Sequence, residues 1–99
     1  MDLLKQLVNM IENDYFITGR IYEIILKGSK PFANETIYGV CAGCNSFDIR
    51  NTWVKFYVIT DTEKREVFYL NDSCLYRLIR VHEVKLKRFS TKANAFHFD

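Results

Sequence analysis

Apolar residues near the start of the chain recur every three or four positions, with polar residues between them. This spacing is typical of an amphipathic helix, because three to four residues complete one turn. Asp2 stands directly before the pattern, where its carboxylate can accept hydrogen bonds from the first free backbone N–H groups. We therefore predict one helix over about residues 3–13. Its apolar face comprises Leu3, Leu4, Leu7, Val8 and Ile11.

After residue 14 the pattern changes to β-branched and aromatic residues, which favour strands. Tyr15 to Lys27 predicts a long first strand, bent or bulged at Gly19. The run from Gly28 to Pro31 should end it, because proline has no N–H to donate to a sheet. Thr36 to Cys41 predicts a second, short strand. Residues 43–51 are rich in Gly, Asn, Ser and Asp, which indicates an irregular connection.

The strongest pattern in the chain is a β-hairpin. Thr52 to Thr60 and Arg65 to Leu70 are two runs of strand-forming residues, and the polar segment Asp61 to Lys64 joins them. Two such runs with a short polar connection are what a hairpin requires.

The remaining residues predict a short helix and a last strand. Asn71 to Ser73 offers side-chain oxygens that can cap a helix, and the apolar residues Leu75, Leu78 and Ile79 that follow share one side of a short helix of about two turns. Alternating apolar and charged residues then predict a strand from about His82 to Phe89. Residues 90–99 have no periodicity and are interpreted as a C-terminal tail.

These elements indicate an α+β fold of about five strands with an N-terminal amphipathic helix and a short helix before the last strand. The sheet is either a small open antiparallel sheet or a partly open SH3-like or OB-like barrel, and the pattern does not choose between them. A chain of 99 residues with 48% hydrophobic side chains supports one core, so residues 1–99 are predicted to form a single domain.

Composition also bears on location and source. The longest apolar runs, such as Phe56 to Ile59, are far short of the roughly 20 residues that cross a bilayer. Three cysteines are an odd number, and no basic, apolar leader opens the chain, so we predict a cytoplasmic protein with reduced thiols. The excess of Phe, Tyr, Ile, Asn and Lys over Gly and Pro indicates an AT-rich genome, such as that of a phage.

One motif could bind a metal. Cys41 and Cys44 are spaced as a CxxC pair, which can hold zinc when two further ligands are supplied. Cys74 and His82 are the available candidates, but their spacing is unlike that of paired zinc knuckles. We therefore expect ordinary thiols and no cofactor, with a zinc-supported domain as an alternative.

Candidate catalytic residues are few. His82 and His97 are the only histidines, and neither lies in a known catalytic signature. The carboxylates fall mostly in caps and turns, and the four glycines form no phosphate-binding loop. The sequence therefore predicts a protein that is not an enzyme.

Charge is unevenly distributed along the chain. Residues 1–49 hold four basic and six acidic side chains, whereas residues 50–99 hold ten basic and six acidic ones. If Arg77 and Arg80 share one side of the short helix, and Lys85 and Lys87 the outer face of the last strand, they form a positive surface. Such a surface binds nucleic acid or an acidic protein, although lysines on an edge strand also simply oppose aggregation. This basic strip comprises Arg77, Arg80, Lys85, Lys87, Arg88 and Lys92.

Both faces of the predicted hairpin are apolar. Trp53, Tyr57 and Tyr69 alternate with a second apolar set on the opposite face, which comprises Val54, Phe56, Val58, Phe68 and Leu70. A chain this short has little material to cover both faces, and Tyr and Trp dominate protein-binding hot spots.

Our leading hypothesis is a small non-catalytic binding or regulatory protein, acting as an inhibitor, an adaptor or a homo-oligomer. Its protein-binding residues would be Trp53, Tyr57 and Tyr69, together with Phe96 and Phe98 near the C-terminus, which dock on the domain or on a partner. A nucleic-acid-binding module that uses the basic strip is the alternative, and no membrane partner is expected.

Overall fold

An open antiparallel sheet organises the chain. The structure is a computed structural model that describes residues 2–60, 65–90 and 95–98. Five strands form one sheet in the order β4-β3-β2-β1-β5, all neighbours antiparallel, and β6 and β7 form a separate hairpin. The elements are α1 (Leu3–Glu12), β1 (Ile21–Leu26), β2 (Glu35–Ser46), β3 (Thr52–Thr60), β4 (Val67–Asn71), β5 (Leu78–Val84), β6 (Leu86–Ser90) and β7 (Ala95–Phe98).

This architecture is the α+β fold that the pattern predicts, and of its two alternatives the sheet is the open one. The two ends of the five-stranded sheet, β4 and β5, do not pair with each other, so no barrel closes. Among the described residues, no helix has the length and apolar character needed to cross a bilayer.

The helix α1 covers one face of the sheet. The Asp2 side chain caps it by accepting a hydrogen bond from the Leu4 N–H at 2.9 Å. Leu4 and Leu7 are buried against the alternate residues of the strands, because successive side chains in a strand point to opposite faces. The sheet residues of this core are Tyr22, Ile24, Leu26, Ile37, Cys41, Val54, Phe56, Phe68, Leu70 and Val81.

Phe56 lies at the centre of this core. Its ring packs against those of Phe16, Tyr22 and Phe68, with centroid distances of 6.1, 5.8 and 6.4 Å. Gly39 on the neighbouring strand leaves room for it, since a Cβ at Gly39 would lie 2.8 Å from the Cβ of Phe56. The hairpin formed by β3 and β4 is thus confirmed, and the face that carries Phe56 is buried. Its connection, residues 61–64, lies outside the described residues.

The first strand is shorter than predicted, because the residues before it form a turn held by Tyr22. The Tyr22 hydroxyl is buried, accepts a hydrogen bond from the Ile17 N–H at 2.8 Å and donates one to the Tyr15 carbonyl at 2.8 Å. Gly19 has a φ of 92°, which suits glycine and redirects the chain into β1. The strand therefore begins at Ile21 rather than at Tyr15.

The second strand is longer than predicted. β2 continues through the CxxC segment to Ser46, with a change of register between Cys41 and Gly43. Cys44 to Ser46 pair with the first residues of β3, and a single 3₁₀ turn, Ile49–Asn51, connects the two strands. The expected irregular connection is therefore shorter than predicted. Gly43 and Asn45 are poor strand formers, but pairing with β3 holds them in a strand.

The predicted short helix is one 3₁₀ turn, Leu75–Arg77. Leu78 pairs with Leu26 and so starts β5, which leaves no room for a second helical turn. The predicted last strand is interrupted at Lys85, where β5 ends and β6 begins. Residues 95–98, which fall in the predicted tail, form β7 and pair with β6.

Candidate protein-binding surface

The side of the five-stranded sheet opposite to α1 is called the open face here. No helix of the described residues covers it. Two groups of side chains are distinguished on it, an aromatic patch and a charged cluster, and the aliphatic residues Ile21 and Ile25 lie on the same face. The aromatic patch, on β2, β3 and β4, comprises Val40, Trp53, Lys55, Tyr57, Val67 and Tyr69. The charged cluster, on β1, β2 and β5, comprises Glu23, Tyr38, Arg80 and His82.

The aromatic patch is built by cross-strand pairing in the hairpin. Trp53 and Tyr69 pack edge to face with ring centroids 5.9 Å apart. Tyr57 lies four residues beyond Trp53 along β3, opposite Val40 on one side and Val67 on the other. Tyr57 is 51% exposed and Tyr69 is 44% exposed, which is high for large apolar rings on a sheet. The structure therefore brings Trp53, Tyr57 and Tyr69 to one face, as predicted.

Lys55 is the charged residue of the aromatic patch. It pairs across strands with Tyr69, and its ammonium lies 5.0 Å from the centroid of the Tyr57 ring, a cation–π contact. The side chain is half-buried, and among the described residues no carboxylate lies within ion-pair distance of it. The positive charge of Lys55 is thus set among rings rather than against an anion.

In the charged cluster, Glu23 is the common acceptor. Its Oε2 accepts a hydrogen bond from the Tyr38 hydroxyl at 2.6 Å, and its Oε1 accepts one from Arg80 Nη2 at 2.9 Å. His82 Nε2 lies 3.0 Å from the same Oε1. The Glu23 side chain is only 14% exposed, so these donors replace most of its water.

The cluster changes the proton affinity of two of its members. The Tyr38 hydroxyl hydrogen bond, followed by that of Arg80, lowers the pKa of Glu23 against the opposing effect of burial. The same bond to the Glu23 carboxylate raises the pKa of Tyr38 to about 12. Glu23 is therefore held as a carboxylate and Tyr38 as a neutral phenol near neutral pH.

Both edges of the sheet are partly occupied by the chain itself. On β5, the Val81 carbonyl accepts a hydrogen bond from the Tyr15 hydroxyl at 2.8 Å. On β4, the Tyr69 and Asn71 carbonyls lie 3.5 and 3.4 Å from Cys74 Sγ, within reach of its weak S–H donor. An incoming strand would compete with these contacts, so the open face is the more accessible surface.

Two residues of the basic strip, Arg77 and Arg80, are not arranged as expected. Arg77 lies in the 3₁₀ turn and Arg80 in β5, so the two do not share a helix side. The Nε of Arg77 donates to the Lys27 carbonyl, while Arg80 is paired with Glu23. Lys85 lies between β5 and β6 and lines a shallow groove with Arg20 and Glu83.

The rest of the strip is described only in part. Lys87 and Arg88 lie in β6, but their side chains are outside the described part, as is Lys92 altogether. Phe96 and Phe98 lie in β7, opposite Phe89 and Leu86, and their side chains are outside the described part as well.

The cysteines lie on two different elements. Cys41 is buried in the core and Cys44 is exposed, both on β2, whereas Cys74 is buried beside the 3₁₀ turn. His82 is in the charged cluster on the opposite face. Burial raises the pKa of the thiols of Cys44 and Cys74. Among the described residues no three His, Cys, Asp or Glu side chains come together as metal ligands.

Pattern analysis missed Glu23 and Lys55. Each is a charged residue at the centre of an otherwise apolar strand, and such a position is costly unless a partner lies opposite. The pattern carries that signal for Glu23, which lies between Ile21 and Ile25 on the same face of β1. Its partner could not be named, because β1 and β5 are far apart in sequence.

A scan against protein-family models gave no match, and searches of the curated proteins and of the solved structures gave no significant match either. The function is therefore inferred from the chemistry of the open face.

Proposed function

We propose that this chain is a small non-catalytic protein-binding module and that the aromatic patch of the open face is its contact surface. The observation that carries the proposal is the exposure of Tyr57 and Tyr69, which stand beside Trp53 on a sheet face without a covering helix. Exposed apolar patches are uncommon on monomeric proteins unless they bind something, and Tyr and Trp are the side chains that contribute most at interfaces.

The rigidity of the patch adds support. Its side chains stand on β2, β3 and β4, whose opposite faces form the buried core around Phe56. A partner therefore meets rings that are already positioned, and little conformational entropy is lost on binding. The edges of the sheet are partly occupied, so contact through side chains is favoured over addition of a strand.

The charged cluster is assigned a structural role in this proposal. The Tyr38 hydroxyl and the Arg80 guanidinium each donate a hydrogen bond to the Glu23 carboxylate, and His82 Nε2 lies 3.0 Å from it, so the cluster holds itself together. The cluster also connects β1 with β2 and β5.

Site-specific photocrosslinking tests the proposal. Tyr57 is replaced by p-benzoylphenylalanine in cells that naturally express the chain, and adducts are detected by immunoblot and identified by mass spectrometry. We expect an adduct to one protein species at position 57, and its loss when Tyr69→Thr is added. Adducts of this chain with itself would identify the partner as a second copy.

The matched control is the same probe at Tyr76. This residue is 76% exposed but lies in the 3₁₀ turn, which packs beside α1 and away from the aromatic patch. The proposal is wrong if position 57 gives no adduct, or if positions 57 and 76 give the same adducts with the same yield.

A further inference from the structure

The environment of Lys55 indicates what its partner carries. The Lys55 residue is half-buried, and its ammonium contacts the Tyr57 ring and, among the described residues, has no carboxylate within ion-pair distance. An interface that covered Tyr57 and Tyr69 would remove still more water from it. Such a burial is unfavourable unless the partner supplies an anion at that point.

In the described part of the chain, the open face itself does not supply a carboxylate for Lys55, so the anion would have to come from the partner. Glu23 is the acidic side chain that the described strands place on this face, and its two oxygens already accept from Tyr38 and Arg80. The charges left to a partner are therefore positive. Two copies stacked through their open faces would bring like charges together, which disfavours self-association.

A nucleic acid is a poorer fit than an acidic peptide. Strands of phosphates are held by several cations, whereas the aromatic patch has one unpaired ammonium and the Arg80 guanidinium is already engaged. Stacking of bases needs free ring faces, and the edge-to-face packing of Trp53 with Tyr69 occupies one of them.

We propose, building on the protein-binding role above, that the aromatic patch recognises an acidic segment of a partner protein. An Asp or Glu carboxylate of that segment pairs with the Lys55 ammonium. Neighbouring aliphatic or aromatic side chains of the same segment pack on Tyr57 and Tyr69. The carboxylate supplies specificity, and the apolar contacts supply most of the affinity.

A displayed library of short random peptides, selected on the full chain, tests the inference. We expect the enriched sequences to combine Asp or Glu with adjacent apolar residues. A synthetic copy of the most enriched peptide is then titrated, with the single tryptophan, Trp53, as a fluorescent reporter within the patch. Lys55→Glu should weaken binding by roughly tenfold or more, whereas Lys55→Arg, which keeps the charge, should change it by less than about threefold.

Lys85→Glu is the matched charge control, since Lys85 is exposed and lies away from the patch. It should leave binding unchanged, and thermal unfolding of each variant should show that the fold is retained. If Lys55→Glu unfolds the domain, Lys55→Gln takes its place with the same expected direction.

Three outcomes would overturn the inference. Enriched peptides without acidic residues that still perturb Trp53 would remove the acidic partner and leave the protein-binding role standing. Tighter binding of an oligothymidylate than of any peptide at low salt, lost in Lys55→Glu, would make the ligand a nucleic acid. A library that yields no binder would also reject the acidic segment, and the crosslinking at position 57 would then decide separately whether the surface binds protein at all.

Discussion

The two faces of the five-stranded sheet both carry aromatic residues, but one face is buried under α1 and the other is exposed. Phe56 and Tyr57 are neighbours in β3, yet Phe56 is fully buried under α1 whereas Tyr57 is half exposed. The helix side is apolar throughout its centre. The open face mixes rings with Lys55 and Glu23. An aromatic strand therefore does not reveal which of its faces is core, and the charged residues that interrupt one face do.

The faces also differ in where the free energy of burial is used. On the helix side, apolar area is removed from water when the chain folds, at about 25 cal/mol per Å². On the open face, the exposed parts of Tyr57 and Tyr69 still contact water in the folded chain, so their burial remains available for binding. Substitutions on the helix side should thus change stability, and substitutions in the aromatic patch should change association.

The largest effect is expected at the centre of the core. Phe56→Ala removes a ring that contacts Phe16, Tyr22 and Phe68 and leaves a cavity between them. We expect a loss of about 3–5 kcal/mol in the free energy of unfolding, measured by urea denaturation. In a domain of this size that loss is a large part of the total stability.

Phe56→Leu is the conservative control, because it keeps most of the apolar volume and should cost clearly less than the alanine variant. A cost below about 1 kcal/mol for Phe56→Ala would contradict the packing of the core around this ring.

A smaller loss is expected from adding one carbon to the same core. Gly39→Ala places a Cβ 2.8 Å from the Cβ of Phe56, closer than such atoms normally approach, so β2 or β3 must shift. We expect about 1–3 kcal/mol of destabilisation by thermal or urea unfolding. Thr36→Ala, at an exposed position of the same strand, should cost less than about 1 kcal/mol, the span of strand propensities. Equal stabilities of Gly39→Ala and Thr36→Ala would show that the contact is absent.

The fold was predictable where local pattern and tertiary pairing agree. The helix α1 and the hairpin of β3 with β4 follow from periodicity, and both were predicted within a few residues. The pattern predicts an irregular connection from residue 43, because Gly43 and Asn45 have low strand propensity. Their pairing with β3 instead makes them part of β2. The pattern predicts a strand over residues 15–20, whose side chains favour strands. The buried Tyr22 hydroxyl instead holds this segment in a turn.

The candidate site was predictable only in part. Alternate side chains of a strand lie on the same face, and the short connection of the hairpin limits its register. These two facts predict that Trp53, Tyr57 and Tyr69 share one face. The charged cluster depends on β1 lying between β2 and β5, an arrangement that local pattern does not encode. For the same reason Arg80 was assigned to a basic strip, although its guanidinium is paired with Glu23.

The charged cluster lies on the open face but should contribute to folding, so a substitution in it should lower stability. Glu23→Gln removes the charge that Tyr38, Arg80 and His82 share and should cost about 1–3 kcal/mol at neutral pH. The matched control is Glu83→Gln. Within the described residues Glu83 pairs with Arg20 alone at 3.2 Å, and both side chains remain accessible to water, so its loss should cost less than about 1 kcal/mol.

The cost of Glu23→Gln should also depend on pH. The pKa of Glu23 is lowered in the folded chain, so its contribution is fully present above its ordinary value of 4.5 and is lost as the pH falls through the folded-state pKa. Urea denaturation of the unmodified chain and of Glu23→Gln should therefore show a wide difference in stability at pH 7 that narrows below about pH 4.5. A gap that is constant across this range would mean that the carboxylate is not held in its ionised form by the cluster.

The smallest effect on stability is expected at Tyr57, and it separates the two faces most directly. Tyr57→Thr keeps a residue that favours strands and removes an exposed ring together with its contact to Lys55. The cation–π contact is worth about 0.5–1 kcal/mol at such a site, so the free energy of unfolding should fall by no more than about 1 kcal/mol. The same variant should weaken binding of the selected peptide, as reported by Trp53 fluorescence. If Tyr57→Thr instead destabilises the domain as strongly as Phe56→Ala, Tyr57 is a core residue, and the patch serves folding rather than binding.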